Sequence, residues 1–208
     1  MTKILPLLFC TTCMCMPQEI QAQSFMGVTI LEKQNLQDAS FMGPTELKEI
    51  TAISLSVVGP FQFNHLKVDK ELVIVGPVIE SERGVFGSLD ITGPFEAKNI
   101  ACSKFDVTGP VDVSDLRVSG EATITGPLKA RKSTFQKLTI WADKIFLEDV
   151  KTKDIFVKKI LREKQVLYLK GKTVVAGNIT FESGKGIVEQ GPEAKIQGAI
   201  KGAVVKKK

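Results

Sequence analysis

The chain contains the run Leu89-Asp90-Ile91-Thr92-Gly93-Pro94-Phe95-Glu96-Ala97, whose pattern returns as Phe105-Asp106-Val107-Thr108-Gly109-Pro110-Val111-Asp112-Val113. Gly-Pro occurs six times between residues 43 and 127, and Ser-Phe-Met-Gly at 24–27 is repeated at 40–43. Successive marked glycines, from Gly27 to Gly126, are 16 or 17 residues apart. A period this regular is typical of a solenoid, in which each unit buries its apolar face by stacking on its neighbours.

Apolar residues recur at fixed offsets on both sides of the marked glycine. Four positions before it lie Leu55, Leu72, Leu89, Phe105 and Ala122, and two before it lie Val57, Ile74, Ile91, Val107 and Ile124. Two positions after it lie Phe61, Val78, Phe95, Val111 and Leu128, and nine after it lie Val68, Val85, Cys102, Val118 and Phe135. Alternation with a period of two predicts strands with one buried face, so each repeat is read as several short strands around a shared interior.

Polar residues and Gly-Pro mark the turns between these strands. Five positions after the glycine lie Asn64, Ser81, Lys98, Ser114 and Arg131, and six after it lie His65, Glu82, Asn99, Asp115 and Lys132. Because proline cannot donate to a ladder and glycine tolerates a sharp bend, corners are predicted at Gly43, Gly59, Gly76, Gly93, Gly109 and Gly126. The sequence therefore predicts an all-β, single-stranded parallel β-solenoid (a β-helix) with about 16–17 residues per coil.

The pattern also divides the chain. Residues 23–165 are predicted to form the Gly-Pro-marked solenoid. Residues 166–205, which are richer in isolated glycines, are predicted to form two or three divergent coils that act as a C-terminal cap. Residues 206–208, three lysines, are read as a basic tail.

Residues 1–22 have the features of an export signal. Lys3 supplies a positive charge, residues 4–16 are apolar, and Ile20-Gln21-Ala22 offers a cleavage site before Gln23. We therefore expect an exported protein, located in the periplasm, secreted or at the cell surface, with no transmembrane span after cleavage. Three of the four cysteines would leave with the signal, so the mature chain would retain Cys102 alone and form no internal disulfide.

Several phrases of the repeat resemble a known class of protein. Gly177-Asn178-Ile179-Thr180, Ala194-Lys195-Ile196-Gln197-Gly198-Ala199-Ile200 and Val118-Ser119-Gly120-Glu121-Ala122-Thr123-Ile124 are similar to the Gly-x-Ile and Ala-x-Ile-x-Gly phrases of short-coil bacterial β-solenoids. Among such proteins, the chain resembles the bactofilin-like, polymer-forming family. The resemblance implies a structural or self-assembling protein without catalytic residues.

Few residues of this chain are of the types that usually act in catalysis. His65 is the single histidine and falls in a polar turn column, and Cys102 falls in an apolar column, so neither is expected to act chemically. No cofactor or metal is expected. The alternative is an enzyme built on the same coil, either acyltransferase-like or carbohydrate-active, in which His65 or the stacked Asp90 and Asp106 would have to serve.

Charge is distributed unevenly along the chain. Residues 23–128 carry 8 Lys and Arg against 14 Asp and Glu, whereas residues 129–172 carry 13 against 5. The opposite signs suggest either head-to-tail association with another copy or contact with an anionic envelope polymer or lipid surface, and nucleic acid is not expected. The candidate contacts with an anionic surface are Lys129, Arg131, Lys132, Lys158, Lys159 and Arg162. The function expected is that of a non-enzymatic, structural, self-assembling or surface-interacting β-solenoid of the bacterial cell envelope.

Overall fold

The computed structural model describes residues 22–161 and 164–208, so the predicted export signal, apart from Ala22, lies outside the described residues. The described chain is all β and forms one parallel 19-stranded sheet wound into a solenoid of about 11 turns. The predicted fold class is confirmed. The strands are β1 Gln23–Met26, β2 Thr29–Glu32, β3 Asp38–Met42, β4 Thr45–Val58, β5 Phe61–Val75, β6 Val78–Thr92, β7 Phe95–Thr108, β8 Val111–Thr125, β9 Leu128–Arg131, β10 Thr134–Trp141, β11 Lys144–Glu148, β12 Lys151–Val157, β13 Val166–Lys170, β14 Val174–Val175, β15 Ile179–Phe181, β16 Gly186–Gln190, β17 Lys195–Ile196, β18 Ile200–Lys201 and β19 Ala203–Lys207.

Each coil has three faces, which the coil from Gly93 illustrates. The first face, residues 95–98, follows the Gly-Pro corner; the second face, residues 100–102, is short; the third face, residues 105–108, leads to the next glycine. Asn99 separates the first two faces with a left-handed backbone, φ 56°. Side chains alternate inward and outward along all three faces, because successive residues of a strand point to opposite sides.

The glycine corners stack directly on one another. Gly93 has φ 144°, and a Cβ on it would collide with the carbonyl oxygen of Gly76 in the preceding coil. Gly109 stands in the same relation to Gly93. A residue with a side chain would meet both a positive φ and a backbone clash, which explains why glycine recurs at this corner.

The interior is a continuous column of apolar side chains. All the residues expected four and two positions before the glycine, and two after it, are at most 3 % exposed. Phe41, Phe61, Phe63, Phe95, Phe105 and Phe135 are the largest of the fully buried side chains. The alternation read from the sequence therefore identifies the core of the first and third faces.

The coil from Gly76 departs from the predicted columns. Phe61 pairs with Val78, but the register then shifts so that Asn64 pairs with Glu82 and not with Ser81, because the chain has an insertion near Glu80. The predicted positions of Ser81 and Val85 are therefore wrong. Ser81 is buried at 1 % exposure, Val85 points outward at 55 % exposure, and Phe86 takes the place expected for Val85 between Val68 and Cys102.

Hydroxyl side chains bond to the backbone where the ladder is interrupted. Ser81 Oγ accepts the Phe63 N–H at 3.1 Å, Ser133 Oγ accepts the Leu116 N–H at 3.1 Å, and Thr173 Oγ1 accepts the Val150 N–H at 3.2 Å. All three hydroxyl residues are at most 1 % exposed. Each one satisfies a buried donor that would otherwise remain unpaired.

The coils after residue 144 are longer than the Gly-Pro-marked coils. Ile155 pairs with Ile179, and Leu167 pairs with Val188, so each of these coils takes up more of the chain than the interval between two Gly-Pro corners. Pairing continues to β19, which lies parallel to β16. The segment 166–205 therefore extends the solenoid with divergent coils, and among the described residues no further strand covers its last edge.

Candidate functional site

The first coil presents an open edge. Among the described residues no strand pairs with the outer side of β1 or β2. Thr29 and Lys33 donate their backbone N–H groups into the second coil, to Pro44 O at 2.9 Å and Lys48 O at 3.0 Å. Because successive residues of a strand point their N–H groups to opposite sides, the N–H of Ile30 points away from the solenoid. Met26, Val28 and Ile30 are 80, 78 and 64 % exposed.

The last coil presents the opposite edge. Within the described part of the chain, β17, β18 and β19 are paired on one side only. Lys208 donates its N–H back to Gln190 O at 3.0 Å, so alternation directs the N–H of Val205 outward along the axis. Ile196, Ile200 and Ala203 are partly buried against the core, which therefore ends in an apolar surface.

The two edges have corresponding columns. Following the ladder from coil to coil, Val205 lies in the column that begins at Thr29, and Ile200 lies in the column that begins at Gln23. In the last coil, the N–H groups that point away from the solenoid along its axis belong to residues whose side chains face the interior. In the first coil, the N–H groups that point away belong to residues whose side chains face outward. This is the relation between any two adjacent coils of the solenoid.

The predicted cationic residues do not form a single surface. Lys129 and Arg131 lie on the first face, and both contact Asp112, at 3.2 and 2.7 Å. Lys132 is exposed at the left-handed corner, with φ 48°. Lys158 and Lys159 follow the third face, and Arg162 lies outside the described residues.

Lys158 is engaged by its surroundings. Its Nζ lies 4.8 Å from the Phe156 ring centroid, 5.8 Å from that of Trp141 and 3.8 Å from Glu182 Oε1. The backbone N–H of Lys159 donates to Glu182 Oε2 at 2.9 Å. The two aromatic rings and the carboxylate partly compensate the positive charge of Lys158. Its electrostatic attraction for a polyanion is therefore weaker than that of a lysine without such contacts.

Sequence reasoning missed a groove of about 620 Å³ along the second face, which we call the second-face groove. The left-handed corner forms one wall, and the outward column of the second face forms the other. Gly84 lies between the two walls, and the small side chains of Val85 and Ala101 keep the second wall low. Its polar and charged lining residues include Lys67, His65, Arg83, Asn99 and Arg117, with Glu49 and Asp115 toward its ends.

His65 lies in this wall with a left-handed backbone, φ 56°. Arg83, and not Glu82 as expected, is the residue at the corner of the next coil, owing to the insertion near Glu80. Arg83 Nη1 lies 2.8 Å from His65 Nε2. A guanidinium can only donate, so His65 Nε2 is the acceptor in this contact.

The other residues considered for a chemical role are Cys102, Asp90 and Asp106. Cys102 is 5 % exposed, and burial raises the pKa of its thiol to about 12, which disfavours the nucleophilic thiolate. Asp90 and Asp106 pair directly on the outer side of the third face. Burial, and secondarily the charge of Asp90, raises the pKa of Asp106.

Metal-binding clusters and membrane-spanning helices are absent from residues 22–161 and 164–208. Those residues contain no group of three or more His, Cys, Asp or Glu side chains placed to hold a metal ion. They contain no helix with the length and apolar character required to cross a bilayer. No known protein family, curated protein or solved structure matches this chain.

Proposed function

We propose that this protein is a non-enzymatic structural component of the bacterial cell envelope that assembles head to tail into rods. The observation that supports the proposal is the correspondence of the two open edges, in which Val205 and Thr29 belong to one column. A second copy would continue the ladder with the same hydrogen-bond pattern and the same three faces. The assembly would be heterologous and open, because a stack along one axis does not close on itself.

Burial of the two apolar ends would favour this assembly. Phe25, stacked on Phe41 with 4.8 Å between ring centroids, and Leu31 cover one end of the core. Ile196, Ile200 and Ala203 cover the other. Docking would remove these side chains from water and would pair backbone groups that are otherwise exposed at the two edges.

Charge at the two ends adds a smaller contribution. Residues 191–208 carry five lysines against one glutamate, and residues 23–58 carry four acidic residues against two lysines. Attraction between exposed charges is weakened by salt. The assembly should therefore lengthen at low ionic strength and shorten, without vanishing, as salt is added.

Export is part of the proposal. Strand β1 begins at Gln23, immediately after the predicted cleavage position, so removal of residues 1–22 would leave every described strand in place. N-terminal sequencing of protein recovered from outside the cytoplasm should read from Gln23. Recovery of an uncleaved chain from the cytoplasm would contradict the export part alone. A polymer-forming role is also what the resemblance to bactofilin-like solenoids implies.

Proline substitutions at the two edges provide the test of assembly. Ile30→Pro removes one of the free N–H groups of the first coil, and Val205→Pro removes one of those of the last coil. A proline is tolerated where the N–H faces solvent at an edge. Ile30→Thr and Val205→Thr keep the N–H groups and serve as matched controls. Far-ultraviolet circular dichroism should be the same for all variants.

Light scattering and electron microscopy are then compared. The wild type and both threonine variants should form concentration-dependent rods, and each proline variant alone should remain monomeric. An equimolar mixture of Ile30→Pro and Val205→Pro should stop at a dimer, because one intact edge remains on each partner. A wild type that is monomeric at every concentration and salt, or proline variants that assemble normally, would refute head-to-tail assembly.

A further inference from the structure

We propose that the second-face groove binds an acidic oligosaccharide, a short sugar chain that carries carboxylates. The groove lies on the side of the solenoid and uses neither terminal coil. The site is therefore independent of head-to-tail assembly.

Cations are concentrated at this groove although the surrounding half of the protein is acidic. Residues 23–128 contain only eight Lys and Arg, and Lys67, Arg83 and Arg117 all line the groove together with the single histidine. Arg117 is exposed, and its side chain makes no hydrogen bond or ion pair with the described residues. Its guanidinium is free to form a bidentate contact with a ligand carboxylate.

The Arg83 side chain is held at the groove wall by its neighbours. Its Nη1 donates to His65 Nε2, and its Nε lies 3.7 Å from Glu82 Oε1. Asn99 Nδ2 donates to the same Glu82 oxygen at 3.2 Å. These contacts orient the guanidinium before a ligand arrives, which lowers the conformational entropy lost on binding.

The spacing of the cations suits a chain rather than a single small anion. Lys67 and Arg117 lie on coils three steps apart, joined through the outward positions of Val85 and Ala101. At about 4.8 Å per strand, their backbones are separated by about 14 Å along the axis. Between them the outward column is apolar at Val85 and Ala101, and the opposite wall is polar at His65 and Asn99. A sugar ring, with its apolar C–H face and hydroxyl edge, fits such a boundary.

Two other polyanions fit less well. An extended acidic peptide would bind by adding a strand to a sheet edge, but β5, β6, β7 and β8 are each paired with the next, so this part of the groove offers no free edge. Single-stranded nucleic acid binds by stacking its bases on aromatic side chains, and no Phe, Tyr or Trp lines the groove.

The acidic residues of the wall limit the length of the ligand. Glu49 and Asp115 lie in the same left-handed corner column as His65, Arg83 and Asn99. A long polyanion would bring further negative charge toward Glu49 or Asp115, and like charges repel. The site should therefore prefer a chain of a few uronic acid units over a long or densely charged polymer.

Calorimetric titration at low ionic strength tests the proposal with three probes. Tetragalacturonate supplies the carboxylates, its fully methyl-esterified form supplies the same sugar without charge, and tetraglutamate supplies carboxylates on a peptide. The protein variants are Arg83→Gln, Arg117→Gln and the matched control Lys98→Gln. Lys98 is exposed on the first face and carries the same charge in the same acidic half of the chain.

Tetragalacturonate should bind saturably, and binding of the ester and the peptide should be at least tenfold weaker. Arg83→Gln and Arg117→Gln should each weaken binding by about tenfold, as expected for a charge-assisted hydrogen bond. Lys98→Gln should change it by less than about twofold, since an exposed charge outside the site contributes only screened attraction. Absence of saturable binding, equal binding of the ester or the peptide, or an equal loss in Lys98→Gln would each overturn the proposal.

Discussion

The ring of Phe86 occupies the space that a side chain at Gly84 would need. A Cβ built on Gly84 would collide with the Cζ and Cε2 atoms of that ring and lie 3.0 Å from Phe63 Cε2. Phe63 and Phe86 pack edge to face, with 5.6 Å between ring centroids. The small residue and the large one are therefore a matched pair inside the coil from Gly76.

Gly84→Ala should destabilise the protein through this pair. Adding one methyl group to a filled core costs about 1 to 3 kcal/mol. Chemical denaturation should show the loss in the free energy of unfolding. Phe86→Leu introduced into the Gly84→Ala background should cost less than Phe86→Leu in the wild type, because the smaller side chain makes room for the methyl group. Additive effects would contradict the assigned contact.

Ser133→Ala should leave the Leu116 N–H without its acceptor. The loss should be about 1 to 3 kcal/mol, the cost of an unsatisfied buried donor. Thermal unfolding measures it, with Ser56→Ala as the control because Ser56 is exposed on the third face. The control should remain within about 0.5 kcal/mol of the wild type. Equal effects at the two positions would show that the Ser133 hydroxyl does not act as a substitute acceptor.

Asp106→Asn should stabilise the protein at neutral pH. The folded state raises the pKa of this carboxyl, by burial first and by the Asp90 charge second, so folding favours its protonated form. Stability from this group is therefore greatest below the unfolded pKa and falls as pH rises through the folded pKa. The gain from Asn should be below about 1 kcal/mol, because solvent screens this partly exposed pair, and it should shrink on acidification.

Melting temperatures measured from acid to neutral pH check this dependence. Asp112→Asn is the matched control, because Asp112 contacts Lys129 and Arg131 and its carboxylate is compensated. The control should give no gain at neutral pH. A constant effect of Asp106→Asn at every pH would contradict the role of its charge.

Cys102 should not react in the native protein. The buried thiol has its pKa raised to about 12, so almost no thiolate is present at pH 8. Alkylation followed by mass spectrometry of the tryptic peptide from Asn99 to Lys104 should show labelling only after denaturation. Complete labelling under native conditions would show that the coil around Cys102 opens readily.

The sequence predicted the architecture because the strand period and the glycine corner are both local signals. Alternation around Gly93 identifies buried Ile91 and Phe95 without reference to any other coil. The second face was harder to place. The interval from Gly59 to Gly76 equals that from Gly76 to Gly93, but the insertion lies beyond Val68 in the first of these coils and near Glu80 in the second.

Those compensating insertions explain why the groove was missed. Counting from the nearest glycine placed Val85 in the core and Glu82 beside His65, whereas the structure places Phe86 and Arg83 there. Arg83 was therefore not recognised as a neighbour of His65. Open edges, by contrast, are expected at the two ends of any solenoid. Which residues of the two edges share a column, however, depends on the summed lengths of all the coils between them.

The stacked glycine corners have a consequence for the size of the molecule. Each corner contacts the corresponding corners of the coils before and after it, and strand pairing follows the same rule. These contacts join adjacent coils only, so none of them depends on the total number of coils. Duplication of one regular unit, such as residues 93–108, would therefore lengthen the protein by about 4.8 Å without requiring a new core. In this architecture the length of the protein can change during evolution by whole repeats, while its cross-section stays constant.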